Sequence, residues 1–145
     1  MSLDLNKLYS LFYEKFSNIE TPNFKITNKS FEKNSIILSI SFLTIRINCD
    51  EIIVEYADEH DGFYKNTYIN TEKWIDSVCS FIKLFSSNKA FIEYYYTKNN
   101  KLLFYKIWVE KTTGKKHCIK KVSLTFNPLK IFCKKIKRIK YINAC

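Results

Sequence analysis

The first apolar residues of the chain recur at helical spacing. Leu5, Leu8, Tyr9, Phe12, Phe16 and Ile19 fall on one helical stripe, with Asp4, Lys7, Glu14 and Lys15 among them. That spacing predicts an amphipathic helix over residues 3–19 with one stripe turned to a core. Thr21-Pro22-Asn23 stops it. A second stripe, Trp74, Ile75, Val78, Phe81, Ile82 and Phe85, predicts a helix over residues 71–86. Thr71 is its expected N-cap, and Glu72 falls near the positive end of the helix dipole.

Elsewhere the period is two. Ile36, Leu38, Ile40 and Phe42 alternate with Ser39 and Ser41; then the phase slips and Leu43, Ile45 and Ile47 alternate with Thr44, Arg46 and Asn48. A one-residue slip inside a strand is what a β-bulge produces, so residues 35–48 are expected to form one bulged strand. A short strand is expected at 24–27. A turn at Cys49-Asp50 leads to a strand at 51–57, then to a polar loop, Asp58-Glu59-His60-Asp61-Gly62, and to a strand at 63–69. Residues 90–96 and 101–110 flank Asn99-Asn100 as a hairpin. Thr112-Thr113-Gly114 turns the chain into a strand at 116–126, with Cys118, Val122, Leu124 and Phe126 expected to face inward. Asn127-Pro128 suits a helix start, and residues 129–140 place Leu129, Phe132, Cys133 and Ile136 on one side of a short helix. The predicted architecture is therefore α+β: an antiparallel sheet of about six strands, two amphipathic helices packed on it, and a short basic C-terminal helix. A single domain over residues 1–145 is expected, since no repeat or low-complexity linker interrupts the chain. At this length about 70% of the unfolded surface is buried, so no disulfide or metal is needed to hold a core.

Composition narrows the chemistry. Only two glycines occur, Gly62 and Gly114. A dinucleotide fingerprint or a phosphate loop needs several close together, and neither can exist here. The five cysteines (Cys49, Cys79, Cys118, Cys133 and Cys145) are odd in number and widely spaced, with no C-x-x-C pair. Reduced thiols in a cytosol are the expectation. With only His60 and His117 to join them, no zinc site and no other cofactor is expected. The first nineteen residues carry charge throughout, so no secretory leader is expected, and no stretch of eighteen apolar residues predicts a membrane span. A terminal Cys145 does not form a prenylation box. A cytoplasmic location is expected.

Charge is the most informative feature. Residues 1–100 hold 11 basic and 13 acidic side chains, whereas residues 101–145 hold 13 basic and a single acid, Glu110. Clustered charge steers encounter with an oppositely charged partner. The plain alternative is a solvated face made rich in lysine by AT-rich coding, because lysine outnumbers arginine 22 to 2. The cations at issue are Lys115, Lys116, Lys120, Lys130, Lys134, Lys135, Lys137 and Arg138. They could meet an acidic protein or nucleic-acid phosphates, but base readout favours arginine, and one arginine sits in this stretch. A helix here could also lie on an anionic membrane face. Tyr94 and Tyr96, with Tyr95 between them and Tyr105 and Trp108 on the paired strand, could anchor an interface or stack on bases; ordinary packing on a pleated sheet is the competing explanation. Asp58, Glu59, His60 and Asp61 gather carboxylates and one imidazole without the ligand spacing of a calcium loop, so they are expected to be acidic contact residues on a solvated turn rather than a metal site. His117 and Cys118 are neighbours on a strand and point to opposite faces, so they cannot form a nucleophile–base pair. No catalytic residue is assigned, and an enzyme would require His60 or His117 to meet distant acids in a pocket.

A small, glycine-poor α+β chain of this composition, without a catalytic signature, resembles the bacterial immunity proteins of contact-dependent growth inhibition and related polymorphic toxin systems. The likeness is one of type along the whole chain and carries no residue role with it. It implies a protein that covers the active site of a cognate toxin. Immunity proteins against nuclease toxins tend to be acidic; this chain is basic, so its toxin would present an acidic surface or meet the acidic 50–61 region. The alternative is a basic nucleic-acid-binding accessory protein of a phage or mobile element.

Overall fold

Asp4 begins the first helix by accepting a hydrogen bond from the Asn6 amide at 3.1 Å. In the computed structural model, which describes residues 4–86, 88–124 and 135–142, helix α1 runs Leu5–Phe16 and buries Leu8, Phe12 and Phe16 on one stripe. Helix α2 runs Thr71–Lys83 and buries Trp74, Ile75, Val78, Cys79 and Ile82. Its N-cap is Asn70, whose side chain accepts from the Lys73 amide at 2.9 Å, so the expected cap at Thr71 is off by one residue. The side-chain oxygen of Asn70 accepts the third helical N–H directly. The chain divides into two compact units, residues 1–86 and 87–145.

In the first unit both helices accompany a five-stranded antiparallel meander of β1 (Ile26–Glu32), β2 (Ser35–Ile40), β3 (Leu43–Ile47), β4 (Glu51–Tyr56) and β5 (Glu59–Tyr64), in that spatial order. The phase slip after Ile40 is a hairpin and not a bulge. Ile40 pairs with Leu43 across Ser41-Phe42, and Ser41 takes a φ of +53°. Paired residues share a face, so Ile36, Leu38, Ile40, Leu43, Ile45 and Ile47 all enter one core. The same two-residue device recurs at Lys33 and Ala57, each with positive φ. Two further expectations are corrected. Residues 59–64 form β5 and not a loop, because the register with β4 outweighs their weak strand propensity. The chain then enters a short 3-10 turn at Lys65–Thr67 in place of a strand over 63–69. Strand β1 extends to Glu32, well past the expected 24–27; its residues are almost all exposed, so it left no alternation to read.

Trp74 ties α2 to the sheet by donating its indole N–H to the Phe63 carbonyl at 2.9 Å. Lys15 of α1 reaches Asp76 at 3.2 Å and Glu72 at 3.4 Å, and these two contacts hold its ammonium pKa above the ordinary lysine value. Tyr56, Phe81 and Phe85 close the core with ring centroids 5.1 to 6.0 Å apart.

The second unit is a four-stranded antiparallel sheet of β6 (Lys89–Tyr96), β7 (Leu102–Glu110), β8 (Lys116–Ser123) and β9 (Ile136–Tyr141), in the order β8-β7-β6-β9. The β6–β7 hairpin is as predicted. Two sheets of five and four strands thus replace the one expected sheet of six. Residues 136–140 of the expected C-terminal helix lie in β9, antiparallel to β6; residues 129–134 fall outside the described residues. The error has a physical source. Ile136 and Ile139 fit a helical step, yet isoleucine is β-branched and the segment is short, so pairing with β6 decides. Cys118 is exposed, contrary to expectation, and Leu124 is too; Val122 is half-buried, and Phe126 lies outside the described residues. A register shift explains Cys118: Ile107 pairs with Lys120 while Trp108 pairs with Cys118, so Ile119 is the extra residue and the inward phase changes across it.

Candidate functional site

Register assigns the faces of the second sheet. Ala90, Ile92, Tyr94 and Tyr96 share one face with Leu103, Tyr105, Ile107 and Val109; of these Ala90, Ile92, Leu103, Ile107 and Val109 are buried. The opposite face carries Phe91, Glu93 and Tyr95 of β6 against Trp108, Lys106 and Phe104 of β7. It is a lattice of rings and ammonium groups. Lys106 Nζ sits 5.8 to 6.0 Å from the ring centres of Trp108, Tyr95 and Phe104. Lys121 and Lys135 stand 5.1 and 5.4 Å from Phe104, and Lys116 stands 5.3 Å from Phe91. Each ammonium over a ring face gains a modest electrostatic attraction, on the order of 0.5–1 kcal/mol where solvent reaches it.

Glu93 lies within this lattice and is 6% exposed. Lys137 of β9 reaches it at 3.3 Å, and the Tyr95 hydroxyl donates to it at 3.3 Å. Burial, and then the Glu93 carboxylate, push the Tyr95 hydroxyl pKa up. The indole Nε1 of Trp108 is buried and finds no hydrogen-bond partner among the described residues. On the other face Arg138 stacks 5.0 Å over Tyr96 and donates to Asn100 at 3.3 Å, which joins β9 to the β6–β7 turn.

The sequence-derived candidates therefore separate. Tyr94 and Tyr96 lie on one face of the sheet and Trp108 on the other. Lys115 is exposed in the turn before β8; Lys116 and Lys120 lie on β8, with Lys120 half-buried. Lys135, Lys137 and Arg138 belong to β9 or the residue before it. Lys130 and Lys134 fall outside the described residues. Asp58, Glu59 and Asp61 belong to the first unit, where Asp61 accepts the Tyr56 hydroxyl and so has a structural task. Sequence reasoning missed Lys106, Lys121, Phe104 and Glu93. The step Phe104-x-Lys106-x-Trp108 would have placed two of these, Phe104 and Lys106, on one face with Trp108 once the strand was assigned.

Exposed cations line both edge strands, Lys116 and Lys121 on β8 and Lys137, Arg138 and Lys140 on β9, while the rings on β6 and β7 between them are partly or wholly buried. The second unit holds 15 basic and 2 acidic side chains, against 9 and 12 in the first. His60 pairs with Glu55 and His117 with Val109, on strands of different units. Among the described residues no group of three or more His, Cys, Asp or Glu could hold a metal ion, and no helix is long and apolar enough to cross a membrane. No family model matches the sequence, and no curated protein or solved structure is similar to it.

Proposed function

We propose that this chain is a non-enzymatic, cytoplasmic protein-binding domain that docks an acidic partner on its second unit, and that the partner is a toxin domain the chain neutralises. The supporting observation is the layout of that unit: cations exposed along both edges of a sheet whose central rings are already packed. Rim charges accelerate encounter and reject wrong partners, while the exposed Ile139 and Tyr141 supply apolar contact area. Lysine suits this task, since its compact ammonium pairs with carboxylates of varied orientation without bidentate geometry.

Nucleic acid is the competing ligand class. Base stacking needs free ring faces. Here Tyr95 stacks on Phe104 with centroids 4.4 Å apart, and lysine nitrogens stand over Phe104, Trp108 and Phe91. The covered rings favour a protein surface.

Capture on the immobilised chain from its native cells, followed by expression of the captured protein alone, tests the proposal. The expected result is an acidic protein that arrests growth and is silenced by co-expression of this chain. The Lys116→Glu, Lys121→Glu, Lys135→Glu variant should lose that protection. A capture that consists of nucleic acid and vanishes on nuclease treatment contradicts it.

A further inference from the structure

Four strands form the edges of the two sheets, and they are not equally closed to pairing. On β1 the ladder is broken between Ile26 and Asn28. Strand β5 carries Glu59 and Asp61 with Gly62 at its centre. Strand β8 is bulged at Ile119. Such breaks and charges blunt an edge. Strand β9 differs. It pairs with β6 over six residues without a register shift, contains no proline, and is exposed along its whole length, including Ile136, Ile139 and Tyr141.

The direction of its backbone groups follows from one hydrogen bond. The Ile142 amide donates to the Ala90 carbonyl at 2.8 Å. In an antiparallel ladder the residues aimed at the partner alternate. With the register unbroken, Ile136, Arg138 and Lys140 aim their N–H and C=O at β6. Lys137, Ile139 and Tyr141 therefore aim theirs away from the sheet, and among the described residues β9 pairs with β6 alone.

We infer that the outer edge of β9 takes up an extended acidic segment of a partner protein as an added strand. This rests on the protein-binding function proposed above and specifies its mode. Charge selects the occupant. The strand presents Lys137, Arg138 and Lys140 with no acid among its six residues. A second copy pairing antiparallel on this edge would set cations against cations across the ladder, which is destabilising. A strand with carboxylates at alternate positions meets Arg138 and Lys140 on one face instead, and its backbone completes the outward N–H and C=O groups, while Ile139 and Tyr141 contribute apolar contact on the opposite face. The lysines thus disfavour self-association and favour an acidic guest.

The test is amide hydrogen exchange on the intact chain with a capped peptide of alternating threonine and glutamate. A control peptide of the same charge, N-methylated at alternate residues, cannot extend a ladder. The first peptide should slow exchange at Lys137, Ile139 and Tyr141 roughly tenfold and the control should not. Lys140→Glu should weaken binding about three- to tenfold, the scale of one opposed pair made like-charged. Ile139→Pro should abolish the protection while the β6 ladder persists, because that amide points outward; if the proline variant does not fold, the lysine variant decides. Salt-dependent binding of both peptides without protection of the three amides overturns the added-strand mode and leaves the acidic-partner function standing. Protection that appears on raising the protein concentration alone makes a second copy the occupant and overturns the acidic-strand assignment. Failure of both peptides, with tight binding of single-stranded nucleic acid, overturns the proposed function as well.

Discussion

Strands β2, β3 and β4 of the first unit bury every second residue against the helices, whereas β8 of the second unit buries none and β9 is exposed from end to end. The first unit holds itself together by shape. Its strands β2–β4 bury isoleucine, leucine, Val54 and Tyr56 in alternation, its helices add Phe12, Phe16 and Trp74, and its charge nearly balances. The second unit spends its surface on like charge, and its few acids are placed as internal ties, Glu93 to Lys137 and Glu110 in register with Lys116. A uniform cationic field destabilises a compact state. On the proposed reading, that field is kept for a ligand of opposite sign, with the first unit as scaffold and the second as binding element.

The contrast is sharpest under core truncation. Phe12→Ala should cost about 3–5 kcal/mol in urea unfolding, as a fully buried phenylalanine does, while Ile139→Ala, 47% exposed, should cost less than about 1 kcal/mol. Equal costs would erase the distinction. Next, Glu93→Ala should cost about 1–2 kcal/mol, since a buried carboxylate is lost but its partner Lys137 is half in solvent. The same change should weaken partner binding by misplacing Lys137, whereas Phe12→Ala should leave the affinity of the folded fraction unchanged.

Smaller effects sharpen the picture locally. Asn70→Ala should cost about 1 kcal/mol and Thr71→Ala much less, because the cap is Asn70; thermal melts of both settle the order. Spectrophotometric titration reports on Tyr95. Its pKa is raised in the folded chain, so its contribution to stability is complete below the ordinary tyrosine value near 10 and is lost as pH climbs through the higher folded value. Glu93→Gln should lower the Tyr95 pKa only partway, because burial is the larger cause.

Much of this fold was legible because the core residues carry its period. The stripe Leu8, Phe12, Phe16 and the set Trp74, Ile75, Val78, Ile82 allow only helices, and the 90–110 hairpin follows from its alternation and its asparagine turn. What failed were features with two physical solutions. A one-residue slip marks either a bulge or a two-residue hairpin, and Ser41-Phe42 lacks the glycine that would have chosen. Ile136 and Ile139 satisfy both periods. At β5 an acidic, glycine-containing run becomes a strand only because β4 is beside it. The candidate site was legible as charge, since net cations need no geometry to count. Its arrangement was not. That Trp108 faces away from Tyr94 and Tyr96, and that Lys106 gathers three rings, depends on a register no local signal sets.

The association rate of the captured partner, measured by stopped flow across a range of ionic strength, tests most directly whether the cationic second unit is the docking element. The account predicts a rate that falls steeply with salt for the native chain, and that is at least roughly tenfold lower and nearly flat for the Lys116→Glu, Lys121→Glu, Lys135→Glu variant. Identical rates and identical salt slopes for the two chains would contradict it.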